Sequence, residues 1–300
     1  MLWGQLRSVL QRLWLVLVLA GGSYYLTSRW TEIVDVLRGF PLSVAAFAFA
    51  AIIVSKGFLT WFVCAVAQGQ SLNLTWKQGA FAYNTSQIAK YAPGSVWQFL
   101  SRAGIYRILG FTGEQIGRVI LVELVWLVGS ASLVGLPAFV LHGTTLLDRA
   151  GLTVIGRWSL LVGGVVTAIA VVLAFRGTFA RVLALAKPTT RYVLSLGGAW
   201  IFLGLSFWLL IASQTDATPL YIVSLFALAY AIGTIAVFAP AGIGVREAVL
   251  AVGLAQQIGV GDALIAAAVH RILYLLADIS LGTIVYVLIS GTGNWRLRGA

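Results

Sequence analysis

The sequence predicts an all-α polytopic membrane protein. It has about six full spans plus two Pro/Gly-broken re-entrant helical hairpins, arranged as an inverted repeat. Three observations carry this expectation. Of 300 residues, 60% are hydrophobic and 10% are charged, with a mean hydropathy of +0.96; a soluble domain is far more polar. Nearly uncharged runs long enough to cross a bilayer recur along the chain. Two of the apolar segments are cut by proline and glycine in related strings. No soluble stretch is long enough for a second domain, so residues 1–300 read as one integral membrane domain.

Taken in order, Arg7 and Arg12 precede an apolar run at 13–20. Ala20-Gly21-Gly22 is a weak signal-peptide cleavage signal, but Tyr24 and Tyr25 suit an interfacial belt and favour an uncleaved first span. Residues 30–41 form a polar connection. Residues 42–67 make the second span, and Lys56 inside it reads as snorkelling toward an interface. Residues 75–92 and 94–109 are shorter helical segments split at Pro93-Gly94. Residues 115–141 form a long span containing Glu123, and 155–175 another. The connection 176–191 carries Arg176, Arg181, Lys187 and Arg191 and no acid. Residues 192–213 span again, 219–239 lead into the second break, 246–258 make a short helix, and 263–289 form the last span. Trp295-Arg296-Leu297-Arg298 closes the chain.

The second break, Phe238-Ala239-Pro240-Ala241-Gly242-Ile243-Gly244-Val245-Arg246-Glu247, has a direct physical reading. Pro240 lacks a backbone donor and clashes with the preceding turn, while Gly242 and Gly244 let the chain leave helical geometry. A helix therefore stops, the backbone opens, and another helix begins. At membrane depth such a break survives only where protein or a wet cavity satisfies it.

The two breaks match. At a constant offset of 147, Ala82-Tyr83 recurs as Ala229-Tyr230, Ile88-Ala89 as Ile235-Ala236, and Ala92-Pro93 as Ala239-Pro240. An internal repeat of roughly residues 42–135 on 189–284 follows. If each broken pair returns to the side it entered from, most of the lysine and arginine falls on one side, including Arg7, Lys77, Lys187 and Arg298. The positive-inside rule then puts both termini in the cytoplasm. An odd number of crossings separates the repeats, so the second is inverted.

Several charges lie where lipid would exclude them: Lys56, Glu123, Arg246, Glu247, Arg271 and Asp278. Glu123 and Arg271 each lie nine residues past an acidic helix start, about 13 Å deep at 1.5 Å per residue. They are repeat equivalents of opposite charge, so they are expected to face each other as an ion pair. Asp278 is seven residues after Arg271, on the same helix face. The competing reading is a purely structural buried pair. Two lone histidines, His142 and His270, make no metal site, and no catalytic motif or phosphate loop is present. The net charge of +11 reads as loop charge and lipid-headgroup attraction, not nucleic-acid binding. No cofactor and no enzymatic activity are expected. Cys64 is the single cysteine and reads as a small apolar side chain.

Lys90-Tyr91-Ala92-Pro93-Gly94-Ser95, the following Arg102, Glu123 in the next span, the Pro-x-Gly-x-Gly-x-Arg-Glu string at 240–247 and the later Arg271 resemble the lysylphosphatidylglycerol synthase transmembrane, flippase-like family. The resemblance covers nearly the whole chain. It implies lipid translocation, with a partner glycosyltransferase or synthase as a further possibility. No aminoacyl-transferase stretch follows residue 289, so transport is expected and synthesis is not.

The expected function is thus a flippase-like transporter moving a phosphate-headgroup lipid, either a phospholipid or a polyprenyl-phosphate-linked one, between leaflets. The helix starts at Gly94-Ser95 and after Gly242 and Gly244 would meet the phosphate with backbone N–H groups. Arg246 and Arg271 would add charge, and the resemblance adds Arg102. Glu123, Glu247 and Asp278 would hold the arginines or carry a coupled proton, and Pro93 and Pro240 would make the breaks. The alternative is a non-transporting membrane subunit that recruits a glycosyltransferase or lipid-modifying enzyme through the basic 176–191 connection.

Overall fold

The computed structural model describes residues 41–91, 97–149, 185–236 and 239–290, with side chains of the 113–149 helix described as far as Ala138. The expected spans at 13–20 and 155–175, the Pro93-Gly94-Ser95 break, most of the basic 176–191 connection and the 295–298 stretch lie outside the described residues.

The described chain is all-helical. Its elements are α1 (Leu42–Gly69), α2 (Trp76–Gln87), a 3-10 turn (Ile88–Tyr91), α3 (Trp97–Ile108), α4 (Gly113–Arg149), α5 (Thr190–Ile211), α6 (Pro219–Ile235), a second 3-10 turn (Pro240–Gly242), α7 (Val245–Leu254) and α8 (Gly259–Ser290). Among the described residues four helices are long and apolar enough to cross a membrane: α1, α4 over Gly113–Ala138, α5, and α8 over Gly259–Ile289. The order of long helix, shorter helix, 3-10 turn, short helix and long helix occurs twice.

Local chemistry sets the helix starts. Thr75 and Gln78 form a capping box, with the Gln78 N–H donating to Thr75 Oγ1 at 3.3 Å and the Thr75 N–H to Gln78 Oε1 at 3.0 Å. Thr112 and Gln115 repeat it at α4. Thr189 and Thr218 cap α5 and α6, the latter with Pro219 in the first turn. Several element ends differ from expectation: α7 ends at Leu254 and not 258, and α8 begins at Gly259 and not 263. α4 runs through Pro137 as far as Arg149, beyond the expected end at 141. α6 stops at Ile235, short of Pro240.

Packing relies on small residues that let backbones approach. α1 lies along α5, where Ser55 Oγ donates to the Ala199 carbonyl at 2.9 Å and Phe58 stacks on Phe202. α6 packs on α4 and α5, and α8 packs on α2 and α7. Gly135 of α4 sits against the Leu228 backbone of α6, where a Cβ would come within 2.7 Å. Gly282 of α8 sits against the Asn84 carbonyl of α2, where a Cβ would come within 3.2 Å. The buried polar side chains of α2 are used in this packing: Asn84 Nδ2 donates to the Ala80 carbonyl at 2.9 Å and to Thr60 Oγ1 at 3.3 Å. Hydrophobic burial at this seam centres on Trp200, Phe62, Phe207 and Leu203.

Candidate functional site

The two 3-10 turns lie against each other at the centre of the bundle. In the second, Ala241 has φ 50° and is followed by Gly242 at φ 70° and Gly244 at φ 82°. Only glycine takes the left-handed region freely, so the two glycines make this loop possible. Its backbone groups are largely satisfied by protein. The Ala236 N–H reaches the Ile232 carbonyl at 3.0 Å, and those of Ala239 and Gly242 reach the carbonyls of Ala236 and Ala239 at 2.9 Å. That is the condition for broken backbone in an apolar environment.

Beside this loop lies a cavity of about 170 Å³. Its wall includes Lys90 and Tyr91 of the first turn, Ala241 and Gly242 of the second, Arg246 and Glu247 of α7, and Arg271 and Tyr274 of α8. Three cations and one carboxylate therefore border it, and their partners differ. Glu247 accepts from Arg271 and also takes the Gly244 N–H at 2.7 Å. Arg271 adds a 3.1 Å bond to the Ala241 carbonyl, tying α8 to the loop. Arg246 has no carboxylate partner among the described residues. It stacks over Tyr230 at 3.9 Å and donates one bond, 3.3 Å, to Thr234 Oγ1, while its buried Nε has no acceptor. Gly233 and Gly242 clear the space it occupies: a Cβ on either would come within 2.9 Å of Arg246 Nε.

Two further ion clusters flank the cavity. Glu123 of α4 pairs with Arg102 of α3, both side chains almost wholly buried. Arg102 is also anchored by Ser86 Oγ at 3.2 Å and lies over the Tyr83 ring. Asp278 of α8 holds Lys56 of α1, Lys90 at 2.6 Å and the Tyr91 hydroxyl at 2.8 Å. The Tyr274 ring lies under both lysines, 3.8 Å from Lys56 Nζ and 4.4 Å from Lys90 Nζ. His270 is taken up structurally, between Phe207 and Phe226 with Ser206 Oγ at 2.8 Å.

Four sequence expectations are corrected here. Glu123 and Arg271 do not pair with each other; each finds its partner on the short helix that precedes its own long one. A short helix lying antiparallel beside its neighbour offers a partner closer than one across the bundle. Lys56 does not snorkel, since it is 1% exposed and bound to Asp278. Asp278 accordingly holds lysines and not arginines. The α7 N-terminus is also less open than expected, because Glu247 occupies the Gly244 N–H. Lys56 and Lys90 were missed as members of the network. The spacing that could have found Lys90 was its place three residues before Pro93, at the break expected from the sequence.

The structure brings Gly242, Gly244, Arg246, Glu247 and Arg271 together around the second break, with Pro240 in its 3-10 turn. It sets Arg102 and Glu123 beside them under a separate small cavity. No group of three metal-ligating side chains forms among the described residues. Comparison with family models and with curated proteins finds no match.

Proposed function

We propose that the protein is a flippase-like lipid transporter and that the central cavity binds the phosphate of its lipid. One observation carries the reading: Arg246, at a helix break in a bundle of apolar helices, faces a cavity with no carboxylate of its own. A guanidinium kept at such depth is costly unless it serves an anion or a path, and it grips phosphate in two-point fashion. Lys90 and Arg271 supply further charge from the facing elements. A lipid reaching the cavity would leave its chains among the apolar helix faces.

Alternating exposure follows from an inverted repeat of six spans and two re-entrant hairpins, with both termini cytoplasmic. Two features support that architecture: the duplicated element order, and packing that keeps its form when the halves are exchanged, α2 on α8 as α6 on α4. Gly135 and Gly282, within one residue of the offset that relates Glu123 to Arg271, make the two contacts close. The motif strings around both breaks support kinship with the lysylphosphatidylglycerol synthase transmembrane, flippase-like family, and a prokaryotic inner membrane as location.

The test is reconstitution into liposomes carrying fluorescent phosphatidylglycerol or phosphatidic acid, with reductant quenching to report the leaflet. Wild-type protein should move an anionic phospholipid, and Arg246→Ala should not. Rates equal to protein-free liposomes for every phosphate lipid, from well-folded protein, would leave the recruiting-subunit reading in its place.

A further inference from the structure

A second cavity, about 30 Å³, adjoins the first and shares Gln98, Phe99 and Tyr230 with it as common wall. Its remaining lining includes Tyr83, Gln87, Arg102 and Glu123. Its volume is enough to hold a water molecule. Glu123, 3% exposed, borders it with an unusual imbalance: Oε2 is held by Arg102, while Oε1 is buried and has no hydrogen-bond partner. A buried carboxylate oxygen in that position calls for a donor, which a water or a proton would supply. Gln87 on the opposite wall accepts from Lys90 Nζ at 3.2 Å, and Lys90 lines the large cavity. Gln87 thus links Lys90 of the large cavity to the lining of the small one, which Glu123 borders.

We propose that Glu123 is a proton-exchanging site, reached from the central cavity through this small chamber, and that its proton occupancy is coupled to an anion in that cavity. A sodium-like cation fits poorly, because the Arg102 guanidinium already fills one side. The groups that face Glu123 are Arg102 and Tyr106 of α3, Tyr83 of α2, Tyr230 of α6 and Cys64 of α1. Arg102 is the one cation among them, and Ser86 and Tyr83 retain it when Glu123 is neutral. The direction of coupling follows from charge: an anion beyond the Gln98–Tyr230 wall disfavours the carboxylate and so favours proton uptake. The transfer is simple in balance. A proton leaves a water-borne hydronium in the cavity and ends on Oε1, with no bond broken elsewhere.

Infrared difference spectroscopy of the full-length protein in nanodiscs tests this. The protonated-carboxyl band should titrate with pH, shift in deuterated water, and vanish in Glu123→Gln. Gln98→Leu, which fills the shared wall with an apolar side chain, should slow the deuterium shift several-fold while leaving the band present. The absence of any Glu123-dependent carboxyl band at all pH values where the protein stays folded would overturn the proposal. The coupling half rests on the phosphate reading and has its own arm, addition of dioctanoyl phosphatidic acid with binding followed in parallel by calorimetry. Growth of the Glu123 band on lipid binding supports coupling. A lipid that binds without changing the band overturns coupling. A titrating band with no lipid binding supports the proton site and overturns the phosphate reading.

Discussion

The two 3-10 turns are each followed by a short helix and a long one, and these two helix pairs carry the same ion pair with its signs exchanged and its exposure changed. In the first, the short helix supplies arginine and the long helix glutamate, Arg102 with Glu123, at 3% and 4% side-chain exposure. In the second, the short helix supplies glutamate and the long helix arginine, Glu247 with Arg271, at 17% and 25%. The buried pair sits behind the cavity wall and the exposed pair sits on it. Breaking a fully buried pair strands a charge, whereas a wetted pair can trade its partner for a ligand. One architecture therefore yields a buried clamp on one side, whose carboxylate keeps one oxygen free for a proton, and an exchangeable, ligand-facing pair on the other. Asp278 joins them, since it lies on α8 with Arg271 but holds the first 3-10 turn through Lys90 and Tyr91.

The largest expected effect falls on that joint. Asp278→Asn leaves Lys56 and Lys90 without a carboxylate and should destabilise by at least about 3–5 kcal/mol. Thermal unfolding in detergent would show it, and adding Lys56→Met should recover part of the loss. A melting temperature equal to wild type would mean that the joint holds nothing.

Next comes the contrast itself. Arg102→Met should cost about 3–5 kcal/mol, and Arg271→Met only about 1 kcal/mol because water and salt reach that pair. The same unfolding measurement, run side by side, decides it. Equal losses would erase the distinction between clamp and ligand face. The swap of Arg102→Glu with Glu123→Arg should restore more stability than either change alone.

The smallest effect is local. Gly242→Ala places a side chain at φ 70° and within 2.8 Å of Arg246 Nε. The backbone term is about 1–2 kcal/mol, and the displaced arginine should weaken anion binding beyond what that strain explains. Unchanged phosphatidic acid affinity in calorimetry would show that Arg246 does not need the space Gly242 leaves.

Much of this arrangement was legible in the sequence, for physical reasons that also mark the limit. Composition announces membrane helices because lipid selects apolar residues all round a helix. Pro240 with Gly242 and Gly244 announces a break because the backbone rules are local. Misplaced charges such as Arg246 and Glu247 announce a polar interior because isolated burial is so costly. Partner choice was not legible. Glu123 could have met Arg271 across the bundle or Arg102 beside it, and only the packing of α3 on α4 decides. Lys56 could have reached an interface, but Tyr274 and Asp278 come to it from a helix more than 200 residues away. The exact end of α6 at Ile235, one turn before Pro240, was likewise not legible, though Pro240 does clash with the carbonyl four residues back.

The central claim is that Arg246 holds a lipid phosphate in the cavity of the second hairpin. Calorimetric titration of dioctanoyl phosphatidic acid into wild type and Arg246→Ala tests it most directly, with unfolding curves to show that both proteins are folded. A lost charge-assisted contact of about 1.5–3 kcal/mol predicts affinity weakened by about ten- to a hundredfold. Wild-type affinity in a well-folded Arg246→Ala protein would contradict the account.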